Sequence, residues 1–256
     1  MTDEGRRPSE NPTDQRPRGS HQPALATGQL TIAGLFITAL VTAQLTAAKV
    51  LAFGLPFSLP VTDDALVLPG AALAYALTFF ASDCYSELYG RRAATRLVTV
   101  GLVMNFVMLA LVWSTIRAPA AQSSVDPTMF ETVLGASTPI VVGSLLAYAV
   151  SQNWDVIVFH KLRELTGGAH LWARNIGSTA SSQAIDTVIF VSVAFFVFPQ
   201  YLGIGAQLPG NVILSLIVGQ YIFKLVVAFL DTPFVYAVVG YLRSQGHAPT
   251  YPSTAD

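Results

Sequence analysis

The sequence predicts an all-α integral membrane protein with six transmembrane helices and both termini in the cytoplasm. Of its 256 residues, 52% are hydrophobic and 11% are charged, and the mean hydropathy is +0.53. Soluble proteins carry about 25% charged residues, so a soluble fold of this composition is not expected. The formal net charge of -1 offers no basic surface to a nucleic acid, and a nucleic-acid partner is therefore not expected.

Several apolar segments are long enough to cross a lipid bilayer as helices. About 20 helical residues span a hydrocarbon core of roughly 30 Å, and the alternating pattern of membrane-spanning strands is absent from the sequence. Pro233 in the last segment predicts a kink or a break. The six expected spans are about Leu30 to Leu55, Leu66 to Tyr89, Leu97 to Ile116, Ile140 to Phe159, Ile176 to Phe198 and Val212 to Leu242.

The two ends of the chain differ from its apolar centre. Residues 1–28 contain four prolines and eight charged residues but almost no large apolar side chain, so they are expected to be a disordered cytoplasmic tail. The first apolar run is too long for the core of a signal peptide. Residues 29–243 form the expected six-helix transmembrane domain, and residues 244–256 form a short disordered cytoplasmic tail.

The lysines and arginines outside the spans orient the chain in the membrane. Eleven of them fall on one side of the six-span topology, whereas the other side holds Arg117 together with several acids. The positive-inside rule therefore places both termini in the cytoplasm and predicts a multi-pass protein of the cell (inner) membrane. The eleven are Arg6, Arg7, Arg16, Arg18, Arg91, Arg92, Arg96, Lys161, Arg163, Arg174 and Arg243.

Polar residues inside the spans predict a binding site. Ionisable side chains within a membrane usually face a cavity or a partner, and counting along the helices places Asp186 and Asp231 near the midplane, each roughly 18 Å from a flanking arginine. Lys224 lies in the sixth span and is expected to contact either an acid of another span, Asp186 being nearest in depth, or a carbonyl of the bound ligand, with snorkelling as the alternative. Lys49 lies near the outer end of the first span, where it could snorkel. The other polar residues of these stripes are Asp83, Glu87, Gln152, Asp155, Gln183 and Gln220.

The same polar residues have a simpler interpretation as interhelical hydrogen bonds and ion pairs without a ligand. An enzyme is less expected, because no zinc-protease, nucleophile-elbow or P-loop motif occurs. The single cysteine, Cys84, cannot form an intramolecular disulfide, and the four histidines have no metal-ligand spacing. Neither a metal nor a cofactor is expected.

Aromatic residues beside the polar stripes suggest the kind of ligand. Carboxylates, amides, a lysine and flat rings together suit a small planar polar molecule such as a nucleobase. Aromatic residues near span ends are also typical of membrane interfaces, which is the alternative explanation. The candidates for stacking are Tyr85, Tyr89, Trp154, Tyr221 and Tyr236.

Four sequence motifs resemble a known family. SDCYSELYG followed by arginines, QNWDVIVFHKLR, LWARNIGSTASSQAIDTVIF and FKLVVAFLDTPFVY occur in order and are similar to the queuosine precursor transporter family, also called the vitamin uptake transporter family. The resemblance covers about Leu30 to Leu242. It implies six transmembrane helices and import of a 7-deazaguanine such as 7-cyano-7-deazaguanine, a precursor of modified tRNA bases.

The resemblance also implies which residues bind the substrate. Gln44 departs from the family, which usually has asparagine there, and this leaves the role of that amide open. Asp186 with Gln183 is expected to accept the donor edge of the base. The implied residues are Lys49, Asp83, Glu87, Gln152, Asp155, Arg174, Gln183, Asp186 and Lys224, to which the polar stripe of the last span adds Asp231.

Two transport mechanisms remain open from the sequence. The protein could be a secondary carrier, driven by a proton or sodium gradient, or the substrate-binding subunit of an ATP-driven vitamin uptake system. Ala39, Ala43 and Ala47 form a row of small residues that could dock a coupling subunit, although ordinary helix packing explains the row equally well. A homodimer is a further option.

Overall fold

The computed structural model describes residues 27–59, 63–167 and 171–244, and most of them are helical. In chain order the elements are α1 (Thr27–Thr46), β1 (Val50–Leu59), β2 (Asp63–Pro69), α2 (Ala72–Tyr89), α3 (Arg91–Arg117), α4 (Pro127–Gly135), α5 (Ser137–Leu165), α6 (Leu171–Ser192), a π-helical segment (Val193–Leu202) and α7 (Gly210–Ser244). The expected tails 1–28 and 244–256 lie outside the described residues, except that residues 27, 28 and 244 are helical.

Five helical stretches of the described chain are long and apolar enough to cross a membrane. They are Thr27–Thr46, Arg91–Arg117, Pro127–Leu165, Ile176–Leu202 and Gly210–Ser244. This is the architecture of a multi-pass helical membrane protein. Of the kink or break expected at Pro233, a break is wrong, because α7 continues through this residue to Ser244, and a kink stays a prediction.

The sixth expected span corresponds to α2, which is not among these five stretches. It has 18 residues, and its Asp83 and Glu87 lower its mean hydropathy. Its helix is about 27 Å long, close to the thickness of the hydrocarbon core. It packs against α1, α3 and α7. The six-span topology therefore stays a prediction that depends on this helix.

A β-hairpin lies where the sequence analysis expected the ends of two spans. The first helix ends at Thr46 and the second begins at Ala72, and the intervening strands pair antiparallel from Val50 with Pro69 to Gly54 with Ala65. The expected extension of span one to Leu55 and the start of span two at Leu66 are therefore wrong. Gly54 and Pro56 disfavour a helix in this apolar run, which is why it forms a strand instead.

Two glycines allow the hairpin to pack closely on the helices. A Cβ atom at Gly70 would overlap the carbonyl oxygen of Thr46, and one at Gly219 of α7 would overlap the carbonyl oxygen of Val67 in β2. The absence of a side chain is thus required at both positions. The base of the hairpin is fixed against the ends of α1 and α7.

The helical bundle has two ends, each with its own apolar cluster. At the terminal end, where α1 begins and α7 finishes, a cluster from α1, α2, α3 and α7 includes Phe36, Tyr85 and Val239. At the hairpin end, a second cluster from α1, α5, α6 and α7 includes Ile140 and Leu216. Each cluster holds together the helices of its own end.

The row of small residues on α1 is part of these interior contacts. Ala39, Ala43 and Ala47 are 5%, 1% and 0% exposed, respectively. The suggestion that this row docks a coupling subunit is therefore wrong. Small side chains here let α1 pack closely within its own bundle.

Candidate functional site

A cavity lies in the hairpin half of the bundle. The space open to the centres of water-sized spheres is about 60 Å³, which is smaller than the roughly 300–1,000 Å³ of typical small-molecule sites, so the cavity is narrow. Residues from the last turns of α1, the first turns of α2, and α5, α6 and α7 line it. They are Ala43, Gln44, Pro69, Ala71, Ala72, Tyr75, Phe79, Ile140, Ser144, Tyr148, Asp186, Phe190, Gln220, Phe223 and Lys224.

An ion pair forms part of the cavity wall. Lys224 Nζ of α7 lies 2.6 Å from Asp186 Oδ2 of α6, and the two side chains are 5% and 19% exposed. Ser151 Oγ of α5 donates to the other oxygen, Asp186 Oδ1, at 3.3 Å. The expected pairing of Lys224 with Asp186 is confirmed. Three helices are thus joined at one carboxylate.

The pair retains hydrogen-bonding capacity for a ligand. A carboxylate offers about four acceptor positions and an ammonium group three donors. Lys224 and Ser151 occupy two positions of Asp186, and Asp186 takes one donor of Lys224. A ligand in the cavity could therefore donate to Asp186 and accept from Lys224 at the same time.

Two glutamine side chains add unpartnered polar atoms to the cavity wall. Gln44 is 2% exposed, and its Oε1 has no hydrogen-bond partner among the described residues. Gln220, one turn before Lys224 on α7, has a buried Oε1 that likewise lacks a partner within the described part of the chain. Both oxygens are acceptors, so they suit N–H or O–H donors of a ligand.

Aromatic rings form much of the remaining cavity wall. Tyr75 and Phe79 lie one turn apart on α2 and make an edge contact, with ring centroids 5.2 Å apart at 79°. Tyr148 of α5, Phe190 of α6 and Phe223 of α7 come from the other helices. Flat rings beside hydrogen-bonding groups suit a planar ligand.

The stacking residues proposed from the sequence are not the ones at the cavity. Tyr85 is buried in the terminal-end cluster, where its hydroxyl accepts a 3.0 Å hydrogen bond from Gln29 Nε2. Trp154 Nε1 donates to Ser181 Oγ at 3.2 Å, and Tyr221 donates to the carbonyl of Ala180 at 3.2 Å. The set Tyr85, Tyr89, Trp154, Tyr221 and Tyr236 does not line the cavity.

Three predicted residues of α5 and α6 lie outside the cavity lining. Asp155 Oδ1 accepts a hydrogen bond from Ser182 at 3.3 Å, so the carboxylate joins these two helices. Gln152 is exposed at the surface of α5. Gln183 is half-buried, and its Oε1 lacks a partner among the described residues. Gln183 lies about one turn from Asp186 but is absent from the lining.

The acids of α2 and α7 lie toward the terminal end of the bundle. Asp83 and Glu87 are exposed, and Glu87 faces Arg243, whose Nη2 donates to the Glu87 carbonyl at 3.0 Å and lies 4.0 Å from its carboxylate. Asp231 is half-buried, and its Oδ2 has no partner among the described residues. None of these acids lines the cavity.

Two predicted cationic residues are placed differently from expectation. Lys49 is exposed in the turn between α1 and β1, so its assignment to the first span is wrong. Its backbone nevertheless closes the neck of the hairpin, because its carbonyl accepts from Gly70 N at 2.6 Å. Arg174 belongs to the first turn of α6, and its side chain lies outside the described part of the structure.

Of the ten candidate residues, the structure brings Asp186 and Lys224 together at the cavity. The sequence analysis did not propose Tyr75, Phe79 or Tyr148, and it left the role of Gln44 open. Tyr75 and Phe79 lie on the span that carries Asp83, but nearer its other end. Their neighbours in the sequence are apolar, so nothing there indicated a binding role.

Within the described ranges, no three histidines, cysteines or acids are grouped closely enough to hold a metal ion.

Comparison with known proteins decides the family. Residues 69–238 match the family model described as "Putative vitamin uptake transporter". The chain belongs to the vitamin uptake transporter family. The match includes α2 and all but the last six residues of α7, and so it contains Asp186, Lys224 and Gln220. Membership in this family agrees with the five long apolar helices of the described chain. The protein is therefore a multi-pass membrane protein.

Curated relatives of this family member share one description. A "Probable queuosine precursor transporter" from Bacillus subtilis (strain 168) is 35% identical over 164 residues, which cover 64% of this chain and 68% of the relative. A protein with the same description from Haemophilus influenzae is 27% identical over 128 residues, covering 48% of this chain and 50% of that protein. No solved structure matches the chain.

Proposed function

We propose that the protein is a membrane transporter that imports a queuosine precursor, a 7-deazaguanine such as 7-cyano-7-deazaguanine, for tRNA modification. The family and the descriptions of its relatives support a transporter of this substrate class. The structural observation that carries the proposal is the Lys224–Asp186 pair in the wall of a narrow cavity between the helices.

The chemistry of the pair is complementary to a guanine-type edge. Such an edge offers a ring N–H and an exocyclic amino group beside a carbonyl oxygen. Asp186 has acceptor positions left for the two donors, and Lys224 has N–H groups left for the carbonyl. Adenine lacks the carbonyl and would leave Lys224 without its acceptor. The site is therefore expected to bind a guanine-type base in preference to adenine.

The walls of the cavity suit the flat ring system. Tyr75, Phe79 and Phe223 offer apolar faces from two helices, and burial of a planar heterocycle between such rings is favourable. Among the described residues of the lining, Lys224 is the only one with an ammonium group, and it already pairs with a carboxylate. The lining thus offers no excess positive charge for a phosphate, which favours a neutral base over a nucleotide.

The membrane topology is part of the proposal. We infer six spans, with α2 as the sixth, and both termini in the cytoplasm of a cell whose inner membrane holds the protein. The eleven basic residues on one side support this orientation. The hairpin end of the bundle then faces outward, and the cavity lies in the half from which a substrate would be taken up.

The proposed energy source is an ion gradient. The protein would then work as a secondary carrier whose helices rearrange around the bound substrate. Asp186 and Lys224 would contact the ligand directly. The remaining candidates lie away from the cavity, and we propose that Asp155, Gln183, Asp83 and Asp231 act along the route toward the terminal end instead.

A binding measurement on the purified protein tests the substrate assignment. Labelled 7-cyano-7-deazaguanine should bind with a stoichiometry near one per chain, excess unlabelled guanine-type base should displace it, and adenine should not. Equal displacement by adenine, or no saturable binding, would argue against the proposed substrate.

A further inference from the structure

Two of the buried oxygens that lack a hydrogen-bond partner among the described residues belong to residues of the cavity lining, Gln44 and Gln220. Most buried hydroxyls in the described chain donate to a helical carbonyl, as Ser137 and Thr187 do. The carbonyl oxygens of Gln44 and Gln220 are instead enclosed without a partner in that part of the chain. A buried acceptor without a partner destabilises the folded state, so its presence at a cavity points to a donor supplied by a ligand.

Gln44 provides the stronger of the two observations. It lies half a turn before the end of α1 and is 2% exposed, beside Ala43, which is also in the lining. An apolar side chain would fill this position at lower cost, as Leu40 and Ala43 do at other buried positions of the same helix. A buried amide whose oxygen is unpartnered among the described residues is best explained by recognition.

Gln220 lies on a different helix and beside the ion pair. It is four residues before Lys224, so the two side chains point to the same face of α7. Gly219, next to it, packs against the Val67 carbonyl of the hairpin, and this contact fixes the rotation of α7. The Gln220 amide is therefore held at the cavity by backbone packing. Both α1 and α7 pack on α2, whose Tyr75 and Phe79 also line the cavity.

We propose that Gln44 and Gln220 are the specificity-determining residues of this cavity, and that their carbonyl oxygens accept hydrogen bonds from two different N–H groups of one planar ligand. This inference rests on the proposed function and narrows the class of base that the protein is expected to bind. The site requires an N–H donor on two edges of the ring system. In a 7-deazaguanine free base these are the N–H of the amino group that Asp186 does not take and the pyrrole N–H. A nucleoside carries its sugar on the pyrrole nitrogen and therefore lacks the second donor.

Three related ligands and three variants test the inference. The ligands are 7-cyano-7-deazaguanine, its derivative without the 2-amino group, and its derivative methylated on the pyrrole nitrogen. The variants are Gln44→Met, Gln220→Met and Asn105→Leu. Asn105 is the matched control, because it is 1% exposed and its Oδ1 is unpartnered among the described residues, but it lies outside the cavity lining.

For wild-type protein, the Kd of each modified ligand should be at least about tenfold higher than the Kd of the parent base. Each glutamine variant should lose a similar factor for the parent base and should discriminate less than wild-type protein against one of the two modified ligands. Asn105→Leu should keep the wild-type affinities. Melting temperatures without ligand should stay the same or rise in Gln44→Met and Gln220→Met, since an unpartnered buried acceptor is removed.

Several outcomes would overturn the inference. If both glutamine variants kept wild-type discrimination, or weakened all three ligands by one common factor, the amides would be wall elements without a role in specificity. A large fall in the melting temperature of ligand-free Gln44→Met would identify a structural amide. If wild-type protein bound none of the bases, the proposed function itself would fail together with the inference, whereas normal binding with unchanged variants would overturn the inference alone.

Discussion

Lys224 Nζ of α7 and Asp186 Oδ2 of α6 lie 2.6 Å apart, and Ser151 of α5 donates to the other oxygen of the same carboxylate. The pair is largely buried, so each charge depends on the other for stabilisation. The same atoms face the cavity and retain hydrogen-bonding capacity. The contact therefore stabilises the ligand-free bundle and is also the proposed binding site for the base.

This dual role predicts the behaviour of single and double substitutions. Asp186→Asn and Lys224→Met should each destabilise the ligand-free protein, by roughly 3 kcal/mol, because either change leaves one buried charge uncompensated. The double variant should recover much of that loss, since no buried charge remains. Uptake should be abolished in all three variants. Melting temperatures in detergent and uptake assays measure the two effects separately.

Ser151→Ala is the control for these variants. It removes a 3.3 Å hydrogen bond to Asp186 but leaves both charges, so its effect on stability should be smaller, about 1 kcal/mol. Additive losses in the Asp186→Asn, Lys224→Met double variant would contradict the coupling. Wild-type uptake by Asp186→Asn would place the carboxylate outside the substrate site and favour a purely interhelical role.

The contact between the hairpin and α7 yields a second prediction. Gly219→Ala should lower the melting temperature and weaken ligand binding, because its Cβ atom would overlap the Val67 carbonyl and shift the helix that carries Gln220. Gly240→Ala, on the same helix, is the control: a Cβ atom there meets nothing within 4 Å, and the change should be neutral or slightly stabilising. Equal effects of the two substitutions would show that the hairpin contact is unimportant.

The proposed orientation predicts which positions a membrane-impermeant thiol reagent can reach. In a Cys84→Ala background, cysteine at Asp126 should react in intact cells and cysteine at Arg91 should react only after the membrane is opened. Both native side chains are exposed, so accessibility within the protein does not limit labelling. Since α3 separates the two positions, reaction at 91 but not at 126 would reverse the topology. Reaction at both in intact cells would remove α3 as a span.

Much of the fold could be predicted from the sequence because membrane helices are long and uniformly apolar. The helices α3, α5 and α7 contain three of the expected spans, and α6 together with the π-helical segment contains a fourth. The hairpin was missed because Val50 to Leu59 is as apolar as the helix before it. A window of hydropathy does not distinguish an apolar strand from the end of a span. Gly54 and Pro56 were the local signals against a helix.

Only the charged residues of the candidate site could be predicted from the sequence. Asp186 and Lys224 stand out because ionisable residues in a span need a partner, and counting residues placed them at similar depth. No comparable signal identifies Tyr75, Phe79 and Phe223, since aromatic residues occur throughout apolar helices. Asp83 and Glu87 were conspicuous for the same reason as Asp186, but the direction in which a helix faces depends on packing that one sequence does not specify.

Transport by the purified protein tests the central proposal most directly. Vesicles that contain only this protein should accumulate labelled 7-cyano-7-deazaguanine when a proton or sodium gradient is imposed, and they should not when the gradient is dissipated or when the protein carries Asp186→Asn. Saturable binding without accumulation under either gradient would contradict a secondary carrier and indicate a subunit that needs an ATP-driven partner. Failure both to bind and to accumulate the base would contradict the proposed function.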